Sequence, residues 1–233
     1  MRFKDYITEG INDKGIFKSC FMAGFPAAGK SYTINQIKSG GIGAKVVNTD
    51  TWVEFYGSNV DWVEYGTKVK TLTKSQLLLY LNSILPLWID GTSSNSRAMF
   101  RRKGILESIG YDTSMIWVQA DLDTILKRNR ERDRKVDEQF IIDTYNKLEK
   151  FKDYYKTQFD TFIIIDNNDG ALTDKIISKS YKKMTSFFSS SIKNPIGQDL
   201  KKNMIKNGHK YLFDTDTYDK QYLNKLIDTW YQK

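Results

Sequence analysis

The segment GFPAAGKS, Gly24 to Ser31, constrains this chain more than any other feature. It matches G-x-x-x-x-G-K-[ST] and lies between an apolar run, GIFKSCFMAG, and a stretch of helical periodicity, KSYTINQIKSGG. A glycine loop in that setting joins a strand to a helix, so that backbone N–H groups wrap phosphate oxygens at the helix N-terminus. Gly24 lets the chain turn sharply after the strand, and Gly29 lets the backbone approach an anion. The loop positions Ala27 and Ala28 join them in the expected nucleotide-binding set. Lys30 is placed to reach the β- and γ-phosphates and Ser31 to ligate Mg²⁺, with Tyr32 next along the helix. The expected ligands are ATP and Mg²⁺.

The remaining chain alternates in the same way. AKVVNTD, PLWID, SMIWVQAD and FIIID read as further strands, separated by helical segments such as LTKSQLLLYLNSIL and SRAMFRRKGILESIG, the latter closed by Gly110. Strands spaced by helices imply right-handed crossovers, and hence an α/β fold with a parallel five-stranded sheet flanked by helices. Ligands in such sheets bind at the carboxyl ends of strands, where Gly24, Asp50, Asp90 and Asp121 all fall. Three regions are expected: residues 1–14 as an N-terminal leader or helix, 15–170 as the nucleotide-binding domain, and 171–233 as a basic helical extension.

Composition narrows the partners. The net charge is +8, but from Ala171 onward there are 12 lysines against 6 aspartates, a net +6. Most of the excess therefore lies away from the loop, on an extension whose lysines either face solvent or dock a protein partner. In that extension LTDKIISKSYKKMTSFF reads as an amphipathic helix. Ser189 to Pro195 reads as a linker, and Tyr218, Tyr222, Leu226 and Trp230 mark a last helix. One cysteine, Cys20, lies in an apolar run and reads as buried filler; the one histidine, His209, lacks the company a zinc site needs. No run is long enough to span a membrane, and the expected setting is cytoplasmic.

The chemistry follows from what surrounds the loop. The guanine-reading N-K-x-D is absent, and the third strand reads WIDGTSSN, with no glutamate beside Asp90 to activate water. A kinase instead needs a base for a hydroxyl proton and cations that close over the phosphoryl group. Asp50, ending VVNTD, suits the base, and Asp90 suits Mg²⁺, directly or through water. The cations lie in LKRNRERDRK, where Arg128 and Arg132 share a face if the segment is helical. The alternative for that run is a solvated, salt-bridged helix.

GFPAAGKS, VVNTD, WIDGTSSN and LKRNRERDRK, in that order, resemble the phage polynucleotide kinases and zeta toxins, one branch of the P-loop kinases. The resemblance spans about residues 16 to 170 and implies a nucleoside-kinase-like P-loop fold. It places the base at Asp50, lid arginines at Arg128 and Arg132, and the third-strand acid at Asp90. In zeta toxins a similar third-strand segment contacts a sugar nucleotide, which implicates Thr92. One departure is Val53, where polynucleotide kinases of this type carry an arginine that touches the acceptor phosphate. The implied acceptor is nucleic acid, a 5′-hydroxyl end or a hydroxymethylated base, with a sugar nucleotide as the alternative. A non-catalytic nucleotide-binding effector is the third reading.

Acceptor contacts are expected from TWVEFYGSNVDWVEYG, where Trp52, Phe55, Tyr56, Trp62 and Tyr65 either stack on bases or pack a short helix. Arg97, Arg101 and Arg102 are candidates for an acceptor phosphate or form a solvated helical face. Asn167 and Asn168 lie where related kinases touch adenine, or else cap a loop. At the N-terminus, MRFKDYITEG resembles the leaders that target internal proteins into the heads of T-even-type phages. Ile7, Thr8 and Glu9, followed by Gly10, match the maturation cleavage motif; an amphipathic helix is the alternative. A chain with such a leader would be packed in the virion and enter the host cytoplasm with the DNA.

Overall fold

The computed structural model describes residues 10–38, 43–49, 52, 62–91, 93–132, 135–168 and 174–231. Asp50, Thr92, Arg134 and residues 1–9, which carry the base, one acceptor contact, part of the basic run and the leader motif, lie outside them. Five strands, β1 (Lys18–Gly24), β2 (Lys45–Val47), β3 (Leu87–Ile89), β4 (Asp112–Gln119) and β5 (Thr161–Asp166), form one parallel sheet in the order β2-β3-β1-β4-β5. The central β1 is buried along its whole length, with Phe21 beside Ile89 of β3 and Ala23 beside Trp117 of β4. A parallel strand covered on both faces needs continuous apolarity rather than alternation, and SCFMAG supplies it. At the edge of the sheet β5 alternates, with Ile163 and Ile165 buried and Ile164 exposed.

The described helices are α1 (Lys30–Lys38), α2 (Trp62–Asn82), α3 (Ser96–Ser108), α4 (Leu122–Arg130), α5 (Glu138–Gln158), α6 (Asp174–Ser189), α7 (Pro195–Asn207) and α8 (Lys220–Trp230). Two boundaries differ from the sequence expectation. Helix α2 begins at Trp62 rather than near Leu72, which puts Trp62 and Tyr65 on a helix. Val69, Thr73, Leu77 and Leu81 form its buried stripe, and Thr73 conceals the period because it is polar. Burial is tolerated there because the Thr73 hydroxyl donates to the Val69 carbonyl at 2.8 Å. Helix α7 begins inside the expected linker: the Asn194 side chain accepts from the N–H groups of Ile196 and Gly197, and Pro195 is the first helical residue.

The C-terminal quarter shares the core of the sheet. Met184 and Phe188 of α6, Leu200 and Met204 of α7, and Leu223, Ile227 and Trp230 of α8 are buried in the same apolar cluster as Phe21 and Trp117. Lys175, Lys179, Lys182 and Lys183 line the exposed side of α6. Helix α8 is tied to α2 by the Lys74–Asp228 ion pair at 2.6 Å, and to α3 by Arg102, whose Nε donates to the Trp230 carbonyl at 3.4 Å. No helix among the described residues is long and apolar enough to cross a membrane.

A buried ion pair fastens this quarter to the sheet. Lys18, 1% exposed, donates from Nζ to Asp112 Oδ2 (2.6 Å), Ser190 Oγ (3.0 Å) and the Ser191 carbonyl (2.9 Å). Asp112 also accepts from the backbone N–H groups of Lys193 (2.8 Å) and Asn194 (2.7 Å). A buried ammonium is tolerable only when its protons are matched, and here three acceptors meet three protons. Next to it, α7 approaches the end of α3 so closely that a methyl group on Gly197 would run into the Gly110 carbonyl oxygen. Gly110 itself has φ +94 and closes α3 from the position after its cap.

Gly197→Ala is expected to cost about 1–3 kcal/mol through this overpacking. Lys18→Met is expected to cost about 3 kcal/mol or more, because it strands a buried carboxylate. Urea unfolding followed by tryptophan fluorescence checks both. Midpoints equal to wild type would mean that the C-terminal quarter does not unfold with the sheet.

Candidate functional site

The site is assembled at the carboxyl edge of the sheet, where β1 leaves its buried path. Gly24 has φ +145, and a side chain there would strike the Val118 carbonyl of β4, so only glycine lets the chain turn here. The loop continues through Ala27, with φ +58, and Gly29, with φ +83. Phe25 is buried under it, stacked on Tyr145 of α5 at 4.3 Å and edge-on to Trp117 of β4. This aromatic floor fixes the loop's height above the sheet. The start of α1 is tightened by Thr33, whose N–H and hydroxyl both donate to the Gly29 carbonyl, at 2.9 and 3.0 Å.

Lys30 lies folded over the loop, its Nζ donating to the carbonyls of Gly24 (3.1 Å) and Phe25 (2.8 Å). That places the ammonium inside the concave side of the turn. Ser31 and Tyr32 are exposed on the first turn of α1. Asn167, after β5, is buried and donates from Nδ2 to the Ala28 carbonyl at 2.7 Å. A side chain at Gly29 would collide with that amide. Asn168 accepts from the Asp121 N–H at 2.7 Å, at the start of α4. In this geometry both asparagines act as caps on neighbouring loops.

Asp90 leaves β3 beside β1 and is half-buried, its Oδ2 accepting from Asn48 Nδ2 at 2.8 Å. The next described side chain, that of Ser93, belongs to a residue with φ +55 that is held between two partners. Its hydroxyl donates to the Met22 carbonyl at 3.0 Å, and its own carbonyl accepts from the Tyr155 hydroxyl at 2.7 Å. The WIDGTSSN turn is thus sewn to β1 and α5. Ser31 and Asp90 offer oxygen donors of the kind Mg²⁺ takes, the remainder coming from phosphate and water. Among the described residues no three His, Cys, Asp or Glu side chains converge.

The basic segment differs from the expectation. Helix α4 ends at Arg130, so Arg132 lies past it at a bend and does not share a helical face with Arg128. Arg128 is half-buried on the helix and Arg132 is exposed. Arg130 is held away by a two-pronged pair with Glu138 at 2.7 and 3.0 Å. The turn between α4 and α5 is closed by Asn129, a residue that no sequence motif singles out. Its side chain, 2% exposed, donates to the Val136 carbonyl (2.7 Å) and accepts from the Val136 N–H (2.9 Å).

Other candidates are dispersed. Trp52 is half-buried, and Arg97 is exposed on the first turn of α3. Arg102 points instead to the end of α8, its guanidinium 5.6 Å from the Trp230 ring. Cys20 is fully buried, and desolvation pushes its thiol up to about 12, which leaves it inert. The sequence signal that would have found Asn48 and Asn129 is weak: each is a neutral amide with nothing in its local pattern to mark it.

No protein-family model and no curated protein matches the chain. Solved structures do. A presumed kinase from Chloroflexus aurantiacus aligns with a TM-score of 0.51 at 14% identity, over 73% of this chain and 97% of that one. The Pnkp1/Rnl/Hen1 RNA repair complex aligns with a TM-score of 0.50 at 18% identity, over 64% of this chain and 48% of its own. A deoxyadenosine kinase from M. mycoides, with bound dCTP, aligns with a TM-score of 0.45 at 15% identity, over 72% of this chain and 99% of that one. What the chain shares with these structures is the fold, a five-stranded parallel sheet in the order β2-β3-β1-β4-β5 flanked by helices.

Asn129→Ala removes two buried hydrogen bonds and is expected to loosen the turn that carries Arg132 and Lys135, at a cost of about 1–3 kcal/mol. Limited trypsin digestion with mass spectrometry reads this directly. Cleavage at Arg132 and Lys135 should accelerate, and an unchanged pattern would remove Asn129 as the closure of the turn.

Proposed function

We propose that this chain is an ATP-dependent phosphotransferase that moves the γ-phosphoryl group to a hydroxyl of a nucleic acid. The observation that carries the reading is the convergence of the Gly24–Lys30 loop and the Asn48-held Asp90 at one sheet edge. Loop amides and Lys30 would hold the β- and γ-phosphates, at the positive end of α1. Mg²⁺, when bound, would neutralise phosphate charge there, with Ser31 and Asp90 as its protein ligands.

In the transfer, the acceptor oxygen attacks the γ-phosphorus while the bond to the β,γ-bridging oxygen breaks, and ADP leaves. The acceptor proton passes to a base, the role given to Asp50, two residues after Asn48. Arg128 and Arg132 would meet the charge on the transferring group and exclude water. Asn48 is a positioning residue: it holds one oxygen of Asp90 and so fixes where the carboxylate faces. Trp52, Thr92 and Arg97 are the proposed acceptor contacts, and the leading acceptors are a 5′-hydroxyl end or a hydroxymethylated base.

Transfer from γ-labelled ATP into 5′-hydroxyl DNA and RNA, hydroxymethylpyrimidine DNA, mononucleotides and UDP-N-acetylglucosamine tests this. Label is expected in a polynucleotide, with affinity falling steeply as salt rises. Asp50→Asn should lower turnover by about 10²–10⁴-fold, the usual worth of a general base, while ATP binding is retained. Label in the sugar nucleotide alone would replace the acceptor. ATP binding without transfer to any of them would leave a nucleotide-binding effector.

A further inference from the structure

Helices α1 and α6 pack against each other, and both rest on β1. Helix α6 starts after β5 has left the carboxyl edge of the sheet, and Ser190, just past its end, meets Lys18 at the amino edge. It therefore runs back across the sheet, with Lys175 at the end nearer the glycine loop. After Asp174, every exposed residue of α6 is a lysine or a serine: Lys175, Lys179, Lys182 and Lys183, with three serines beside them. Helix α1 contains no acidic residue, and Ser31, Tyr32, Asn35 and Gln36 are exposed on it.

Helix α5 shows what an ordinary solvated surface looks like in this chain. There Asp143, Glu149 and Asp153 are interspersed with Lys147, Lys150 and Lys156, so that both signs alternate. On α6 they do not. Lys175, Lys179 and Lys183 recur every four residues, about 6 Å apart along the axis, and Lys182 flanks them. Side chains at that spacing share a helix face and repel when their charges match. None of the four enters an ion pair among the described residues. The helix therefore carries an uncompensated charge at a cost to itself, and a polyanion laid along it would remove that cost.

Three anionic partners compete for such a face. A bilayer surface needs apolar side chains to insert, and those of α6, Met184 and Phe188 among them, are buried in the core. Protein interfaces are depleted in lysine and anchored by aromatic or arginine side chains, which the exposed stripe of α6 lacks. Lysine ammonium and serine hydroxyl groups are, by contrast, what holds a phosphate backbone. We propose that the exposed face of α6, continued by α1, is a docking surface for the phosphate backbone of a polynucleotide. Phosphates recur about every 3.4 Å along one strand of a duplex, so the roughly 12 Å from Lys175 to Lys183 spans about three of them. The surface stands apart from the transfer chemistry, since a kinase of free nucleotides would need no such face.

Fluorescence anisotropy with a dye-labelled oligonucleotide of mixed sequence, single-stranded and duplex, tests this across a salt series. Two triple variants with the same change in charge are compared. One carries Lys179→Gln, Lys182→Gln and Lys183→Gln on α6, the other Lys147→Gln, Lys150→Gln and Lys156→Gln on α5. The α6 variant should bind every sequence more weakly. Its slope of log affinity against log salt should be smaller by about 2–3, at about 0.7–0.9 per lost lysine contact. The α5 variant should match wild type. Removing like charges from one helix face should leave the thermal midpoint unchanged or higher; if the α6 triple variant does not fold, Lys179→Gln alone should lower the slope by about 1. An equal loss in both triple variants would mean that net charge alone attracts the oligonucleotide, and would overturn the proposal. So would salt-insensitive binding by the wild type, or an α6 variant that loses phosphatidylserine vesicles and keeps the oligonucleotide.

Discussion

The buried Lys18–Asp112 pair is the interaction on which the rest of this molecule depends. It joins the first residues of the two central strands, and so sets where β1 and β4 begin. The same two side chains take hold of Ser190, Ser191, Lys193 and Asn194, the segment that turns α6 into α7. Such a pair contributes less net stability than its short distance suggests, because both ions are desolvated. What it supplies is specificity. With the C-terminal quarter placed elsewhere, Lys18 would lose two of its three acceptors and Asp112 two backbone donors.

From that base β1 runs buried to Gly24, where a neighbouring carbonyl forbids a side chain and the loop begins. The groups that hold the site's surroundings are mostly asparagines: Asn48 on Asp90, Asn129 on Val136, Asn167 on Ala28 and Asn168 on Asp121. An amide side chain both donates and accepts, and it carries no charge. It can therefore pin irregular backbone around the glycine loop without adding a net charge of its own. The aromatic floor of Phe25, Tyr145 and Trp117 does the complementary work from below, filling the space between loop and sheet.

Much of the architecture was legible in the chain. The five strands read as short apolar runs because a two-sided parallel sheet tolerates little else. The loop was legible because glycine, lysine and serine at fixed offsets satisfy several constraints together. Less legible were α2 and α7. In α2 a threonine stands in the buried stripe and satisfies its hydroxyl within its own helix. In α7 the Asn-Pro pair that suggested a linker is also a helix start. Which of the two it becomes is decided by the burial of Gly197, Leu200 and Met204 against distant parts of the chain. The shared face of Arg128 and Arg132 failed because helix α4 stops at Arg130 and Asn129 closes the turn beyond it.

The sequence by itself determined the sheet, the glycine loop and the order of the segments around it, because these depend on local periodicity and on residues adjacent in the chain. Only the tertiary structure decided what those segments touch. It drew the C-terminal quarter into the core of the sheet, turned Arg102 toward the end of α8 and set Asn167 beneath the loop. These outcomes join residues far apart in the chain. They depend on which buried polar groups find partners after the chain has closed on itself, and no local pattern encodes that.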